Sequence, residues 1–224
     1  MESRSSLASA LESGLEQLSL AVSEQQQKLL LDYLEMLNKW NSAYNLSGIK
    51  DIGQMLPYHL LDSLALVPYL DGETFLDVGT GAGLPGIPLA ICFPQKQFLL
   101  LDSNGKKTRF LFQVKTELGL DNVSVFHERA ENFQSPQQID IVLCRAYAAL
   151  DKFVRQCAPL IDQSGKLLAM KGQFPNDEIT ALPETFNVTA THELTVPGVE
   201  GLRHLIEISP TRGQTTVNNT GHPE

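Results

Sequence analysis

Residues 75–86 read Phe-Leu-Asp-Val-Gly-Thr-Gly-Ala-Gly-Leu-Pro-Gly, an apolar run that ends in glycines at alternate positions and passes into Ile87-Pro88-Leu89-Ala90. Glycine reaches positive φ without steric cost and lets the backbone approach a ligand closely. A buried strand, a glycine turn and a helix, in that order, put the turn at the carboxyl end of a strand. Open α/β sheets bind ligands there. Asp102 closes the next apolar run, 97–102, at an offset of about 20 residues, where an acid can accept from ribose hydroxyls.

The rest of the pattern fits an α/β fold. Leu7, Leu11, Leu15, Leu18 and Val22 recur every three or four residues and predict an amphipathic helix. Ser23 followed by Gln26 predicts a capping box and a second helix carrying Leu30, Tyr33, Leu34, Leu37 and Trp40. The polar stretch 41–50 ends it, and a further helix is expected over 57–67, with Pro57 in its first turn. From Glu73 onward, expected strands at 75–78, 97–102, 123–126, 139–144 and 166–170 alternate with helices at 85–93, 104–118 and 150–160. Such alternation indicates a parallel sheet covered on both faces. The segments 188–196 and 204–208 read as strands with no helix between them, which predicts an antiparallel pair at the end of the sheet. The expected organisation is a helical segment 1–70 packed on the core, an α/β unit 71–209 and a disordered polar tail 210–224.

Composition narrows the setting. Hydrophobic residues make up 42% and charged residues 19% of the 224 residues, as in ordinary globular proteins. The three cysteines, Cys92, Cys144 and Cys157, contain no CxxC pair, so neither a disulfide framework nor a zinc site is expected. Residues 1–20 lack the apolar core of a secretory signal, and no run approaches the ~18 apolar residues of a membrane span. A cytoplasmic protein with no metal and no membrane contact is expected, acting as a monomer. The net charge of −9 weighs against broad attraction to nucleic acid but leaves room for a local basic face.

Two cofactor classes use a loop of this kind. Gly81-x-Gly83-x-x-Gly86 matches the dinucleotide fingerprint of an oxidoreductase, whereas Asp77 with Gly79-x-Gly81-x-Gly83 looks like the first motif of class I S-adenosylmethionine-dependent methyltransferases. A glycine turn without a ligand is the bland alternative. An acid two residues before Gly79 can organise the loop and lie near an amino-acid moiety, but offers nothing to a pyrophosphate. Pro85 removes an N–H that a phosphate would use. The closing antiparallel pair also fits the methyltransferase sheet, which is Rossmann-like, seven-stranded and mostly parallel, with the last strand antiparallel.

The match is closer than a class. The stretch 77–90 resembles the glucose-inhibited division protein B family, the small-subunit rRNA guanine-N7 methyltransferases. Trp40 to Leu46, Leu61-Asp62-Ser63, Leu101-Asp102-Ser103 with Lys106-Lys107, Arg145-Ala146, Lys171-Gly172 and Arg203-His204 carry the resemblance along the chain. It implies methyl transfer from S-adenosylmethionine to N7 of one guanosine in 16S rRNA, within the small ribosomal subunit or an assembly intermediate. By position it places Gly79, Leu84, Ala130, Glu131 and Arg145 at the cofactor. Ala82 stands where proline is also found in the family, one small residue for another, and Ser47-Gly48 stand where Thr-Ala is common, which weakens any specific role for the Ser47-Gly48 loop. A small-molecule methyltransferase and a non-catalytic RNA- or cofactor-binding protein are the competing readings.

The expected cofactor-binding set is Asp77, Gly79, Gly81, Gly83, Leu84, Asp102, Ala130, Glu131 and Arg145. Asp102 would take the ribose, and Ala130-Glu131 the adenine edge. Arg145, at the end of a strand, would pair with Glu131 or Asp77 or hold an RNA phosphate. Asn45, Lys106, Lys107, Arg109, Lys171, Arg203 and His204 are the expected RNA contacts, the cations forming a phosphate-facing rim. N7 of guanine has a free lone pair at neutral pH, so no catalytic base is expected.

Overall fold

The computed structural model describes residues 3–211. The hydroxyl of Ser3 accepts from Ser6 N and opens α1 (Arg4–Gln17), whose Leu7, Leu11 and Leu15 are buried. Leu18 and Val22 lie beyond its last turn yet pack on the same core. The capping box forms: Gln26 N donates to Ser23 Oγ and Ser23 N to Gln26 Oε1, starting α2 (Glu24–Tyr44). Asn45 stops α2 in the left-handed conformation, with φ 50°.

The third helical segment starts earlier than the sequence predicts. Asp51 caps Gln54 N at 3.0 Å and opens α3 (Ile52–Met55), which runs on through a π-helical stretch (Leu56–Leu61) into α4 (Asp62–Leu64). Pro57 therefore lies inside the segment. It has no N–H to donate, and the backbone widens there to the π geometry. The polar residues before Pro57 conceal a helix start that one carboxylate provides.

Five parallel strands follow, each with its expected position: β1 (Thr74–Val78), β2 (Gln97–Asp102), β3 (Val123–His127), β4 (Ile141–Arg145) and β5 (Lys166–Lys171). Between them run α5 (Gly86–Cys92), α6 (Gly105–Leu118) and α7 (Leu150–Cys157). A short α8 (Asn176–Thr180), not anticipated from the sequence, leads to β6 (Phe186–Leu194) and β7 (Arg203–Pro210). The sheet order is β3-β2-β1-β4-β5-β7-β6. The reversed strand is β7, as expected, but it is inserted between β5 and β6, so β6 forms the edge. Of the expected tail, Pro210 ends β7 and Thr211 N donates to Thr185 O; residues 212–224 lie outside the described residues.

Alternation along each strand sorts the core into two faces. Phe75, Phe98, Leu100, Ile141 and Leu168 face α1, α2, α5 and α6 in one apolar cluster. Leu76, Val78, Leu99, Val142 and Ile206 face Phe153, Val154 and Cys157 of α7 in the other. The N-terminal helices thus share a core with the sheet. One buried polar contact continues from them to the glycine turn: Tyr33 Oη donates to Ala82 O at 2.9 Å. No helix among the described residues is long and apolar enough to cross a membrane.

Candidate functional site

The glycine turn is built from behind by Asp77. Its Oδ2 accepts from Thr80 Oγ1 at 2.6 Å and from Gly86 N at 2.9 Å, which ties both ends of the turn to the end of β1. Asp77 is 1% exposed and its Oδ1 has no partner. Burial pushes its carboxyl up to about 6, against the Thr80 and Gly86 hydrogen bonds. Gly79, Gly81 and Gly83 all have positive φ, at 66°, 63° and 93°. A Cβ on Gly79 would meet the Tyr147 ring at 2.3 Å, and one on Gly83 would meet Ile87 at 2.5 Å and Leu111 at 2.8 Å. Gly79 therefore leaves room for a ring above the turn, whereas Gly83 lets the turn pack on α5 and α6. The peptide Leu84–Pro85 is cis.

Two hollows open on the turn at the carboxyl ends of the strands. They share Gly79, over which Tyr147 lies. The smaller, about 200 Å³, is lined by Asp102, Ala130 and Glu131 among others. Asp102 accepts from Gly81 N at 2.9 Å on Oδ2 and from Asn104 N at 2.8 Å on Oδ1, which fixes its plane. Each carboxylate oxygen keeps a second lone-pair direction for a hydroxyl donor. Glu131 Oε1 accepts from Gln156 Nε2, and Gln156 Oε1 in turn accepts from Tyr147 Oη at 2.8 Å.

The larger hollow, about 600 Å³, is walled by Gly79, Gly81 and Leu84 on one side and by Lys107, Arg145, Lys171 and Arg203 on the other. Arg145 pairs with neither Glu131 nor Asp77, as the sequence suggested. Its Nη1 donates to Asp62 Oδ2 at 3.0 Å and to Tyr58 O at 2.9 Å. Arg203 Nε donates to the other oxygen, Asp62 Oδ1, at 3.1 Å. Asp62, 4% exposed, thus holds two guanidinium groups at once from the far end of the π-helical stretch. Breaking a buried pair by removing one partner costs about 3–5 kcal/mol, because the remaining charge stays desolvated. Lys171 Nζ donates to Glu178 Oε2 at 2.7 Å and Ala148 O at 3.1 Å, and Lys107 Nζ lies 3.7 Å from Asp102 Oδ2.

His59 also lines this hollow. Its Nε2 lies 2.7 Å from Ser47 Oγ and its Nδ1 2.9 Å from Tyr58 O. Burial, then the Arg145 charge, pulls the imidazole down to about 4. A neutral ring that donates from Nδ1 and accepts the Ser47 hydroxyl satisfies both contacts. His59 therefore clips the 46–49 loop to the π-helical stretch.

The structure redistributes the expected residues. Gly79, Gly81, Leu84, Asp102, Ala130, Glu131 and Arg145 line the two hollows, with Lys107, Lys171 and Arg203 beside them. Asp77 and Gly83 line neither and support the turn from within. Asn45 caps α2 and accepts from Lys50 Nζ at 2.7 Å; it is the adjoining Leu46 to Ile49 that reach the cavity wall, including the Ser47-Gly48 pair that the sequence gave no role. Lys106 and Arg109 are exposed on α6, outside both hollows, and His204 lines a separate hollow on the far side of Arg203. Sequence reasoning missed His59, Tyr58 and the bridging role of Asp62. Asp62 stood in a family-like stretch, but its partners lie 83 and 141 residues away.

Comparison with known proteins follows the same lines. The model of the GidB family, rRNA small subunit methyltransferase G, matches residues 26–206. A protein named ribosomal RNA small subunit methyltransferase G from Saccharophagus degradans is 52% identical over 208 residues, 93% of this chain and 93% of its own. One of the same name from Marinobacter nauticus is 51% identical over 199 residues, 89% of this chain and 93% of its own. Among solved structures, magnesium protoporphyrin IX methyltransferase from Synechocystis, with bound SAM, aligns at a TM-score of 0.57 and 16% identity, covering 80% of this chain and 98% of that one, which is a likeness of fold.

Proposed function

Because the chain belongs to the rRNA small subunit methyltransferase G family, we propose that it transfers a methyl group from S-adenosylmethionine to N7 of one guanosine in 16S rRNA, presented by the small ribosomal subunit or an assembly intermediate. The observation that carries the RNA half of this reading is the larger hollow. In a chain of net charge −9, it gathers Lys107, Arg145, Lys171 and Arg203 around one opening beside the glycine turn. Its volume of about 600 Å³ suits a small organic group, since ligand pockets span roughly 300–1,000 Å³.

The residues fit the cofactor. Asp102 is fixed with lone pairs to spare for ribose hydroxyls, Ala130 and Glu131 border the same hollow for the adenine, and Gly79, Gly81 and Leu84 form the wall that continues toward the cations. Asp77 acts as a positioning residue for that wall. When bound, S-adenosylmethionine supplies an electrophilic methyl group on a sulfonium. N7 of guanine carries a lone pair already free at neutral pH, so the chain would need to remove no proton before the methyl group passed to it from sulfur, with S-adenosylhomocysteine as the leaving group. His59, the one imidazole in the cavity wall among the described residues, is committed at both nitrogens, which suits a reaction needing no base. What the chain contributes is orientation: a base held in line with the methyl carbon gains the large effective concentrations of a positioned reactant. The base must leave its stack to enter, so structured RNA presents it splayed out. This work is expected of a monomer in the cytoplasm.

The test is incubation with methyl-labelled S-adenosylmethionine and small subunits lacking native methylation, followed by digestion and nucleoside identification. Label in 7-methylguanosine at a single position of 16S rRNA is expected. Label in another nucleoside, or none in rRNA while the cofactor binds, would refute the assignment.

A further inference from the structure

A hollow of about 510 Å³ adjoins the larger cavity and shares Gly172 and Arg203 with it. Its walls come from residues 172–174, leaving the carboxyl end of β5, and from 201–204, where the chain enters β7 beside it. The antiparallel register of Lys171 with His204 sets these segments side by side. At its lip Phe174 is 40% exposed and Leu202 54% exposed, two of the four large hydrophobic side chains left in water among the described residues. Such exposure forfeits transfer free energy unless something covers it.

The Phe174 ring packs on one side against His204. It stands edge-on to the His204 imidazole, with centroids 5.5 Å apart and planes at 82°. His204 is 8% exposed, and its buried Nδ1 has no partner. Between the two hollows, Arg203 is held by Asp62 on Nε and by the Leu202 carbonyl on Nη1. It also lies over the Tyr58 ring, 5.9 Å from its centroid. A guanidinium has five N–H donors, so several remain for an anion.

We propose that this second hollow is a stacking site for the base of the nucleotide next to the methylated guanosine. The inference rests on the reading that the larger cavity receives that guanine. Successive nucleotides of an unstacked strand are joined by a phosphate, and here an immobilised cation stands between two hollows each large enough to admit a base, the outer one lipped by an aromatic ring. Single-stranded RNA is bound by this combination of stacked bases and a cationic track. A protein segment covering Phe174 and Leu202 would need an acidic side chain at the one position of Arg203, whereas an RNA strand carries an anion at every link between bases.

Methylation of undermethylated small subunits by Phe174→Ala and Phe174→Tyr tests this, with p-benzoylphenylalanine placed at position 174 as a crosslinking probe. Truncating a stacking ring weakens binding roughly 5- to 150-fold. The alanine variant should raise KM for subunits by such a factor with an unchanged dissociation constant for S-adenosylmethionine, and the tyrosine variant should restore it. The probe should crosslink to rRNA within two nucleotides of the modified guanosine. A parental KM in Phe174→Ala, or a crosslink to a ribosomal protein in place of rRNA, overturns the stacking site while the methylation reading stands. Failure of the parent protein to label rRNA would remove the premise and the stacking site together.

Discussion

Asp77 and His59 impose opposite pH dependences on stability over nearly the same interval, and substitution can separate them. Burial raises the Asp77 carboxyl from 3.8 to about 6 and lowers the His59 imidazole from 6.5 to about 4. A carboxyl raised in the folded state binds its proton more tightly there. Its contribution to stability is therefore complete below pH 3.8 and is lost as pH rises through about 6. A lowered imidazole does the reverse, contributing fully above pH 6.5 and losing that contribution as pH falls through about 4. At about 1.4 kcal/mol per pH unit, each amounts to about 3 kcal/mol. In the parent protein the two slopes largely cancel. Relative to the parent, Asp77→Asn should gain about 3 kcal/mol between pH 4 and 7, because the falling contribution is gone. His59→Gln should lose about as much over the same range. Urea denaturation at four or five pH values, followed by Trp40 fluorescence, reads both differences directly. Two flat differences, or two of the same sign, would refute the assignment of these slopes to burial of the two groups.

Three further outcomes are expected. Tyr33→Phe removes the donor to Ala82 O and should lower stability by about 1 kcal/mol; calorimetric titration should also show weaker S-adenosylmethionine binding, because the glycine turn loses its brace. Asp62→Asn leaves Arg145 and Arg203 without a counter-charge and should cost about 3–5 kcal/mol, measured by chemical denaturation. Lys107→Glu, in the cavity wall, should reduce RNA affinity and flatten its salt dependence by about one ion, with smaller changes for Lys106→Glu and Arg109→Glu in filter-binding titrations across salt.

The sheet and its helices were legible because local rules dictate them. Alternating apolar runs and Ser23 with Gln26 each signal an element within a few residues. The glycine turn and Asp102 were legible for the same reason, since their spacing is fixed by one strand–turn–helix unit. What escaped is non-local. Asp62 gains meaning only when the π-helical stretch sets it between β4 and β7, and His59 only when the 46–49 loop folds back onto it. Arg145 lies at the end of its strand, as expected, but the carboxylate it pairs with is neither Glu131 nor Asp77, because the acids that stand out in sequence are not the one close in space. Likewise the reversed strand was foreseen, but its insertion inside the sheet was not, since hydrophobic patterning reports burial and not which neighbour provides it.

That insertion bears on how the molecule is made. β6 is synthesised before β7 and, among the described residues, hydrogen-bonds to no other strand, while β5 waits for the same late segment along Leu167 to Lys171. Until residues 203–210 leave the ribosome, one strand is unattached and another has a bare edge, the kind of surface that recruits foreign strands. The same late segment carries Arg203, the second guanidinium on Asp62. Chains released early would therefore lack, together, the strand that covers the edge of β5 and the second guanidinium that completes the cavity wall.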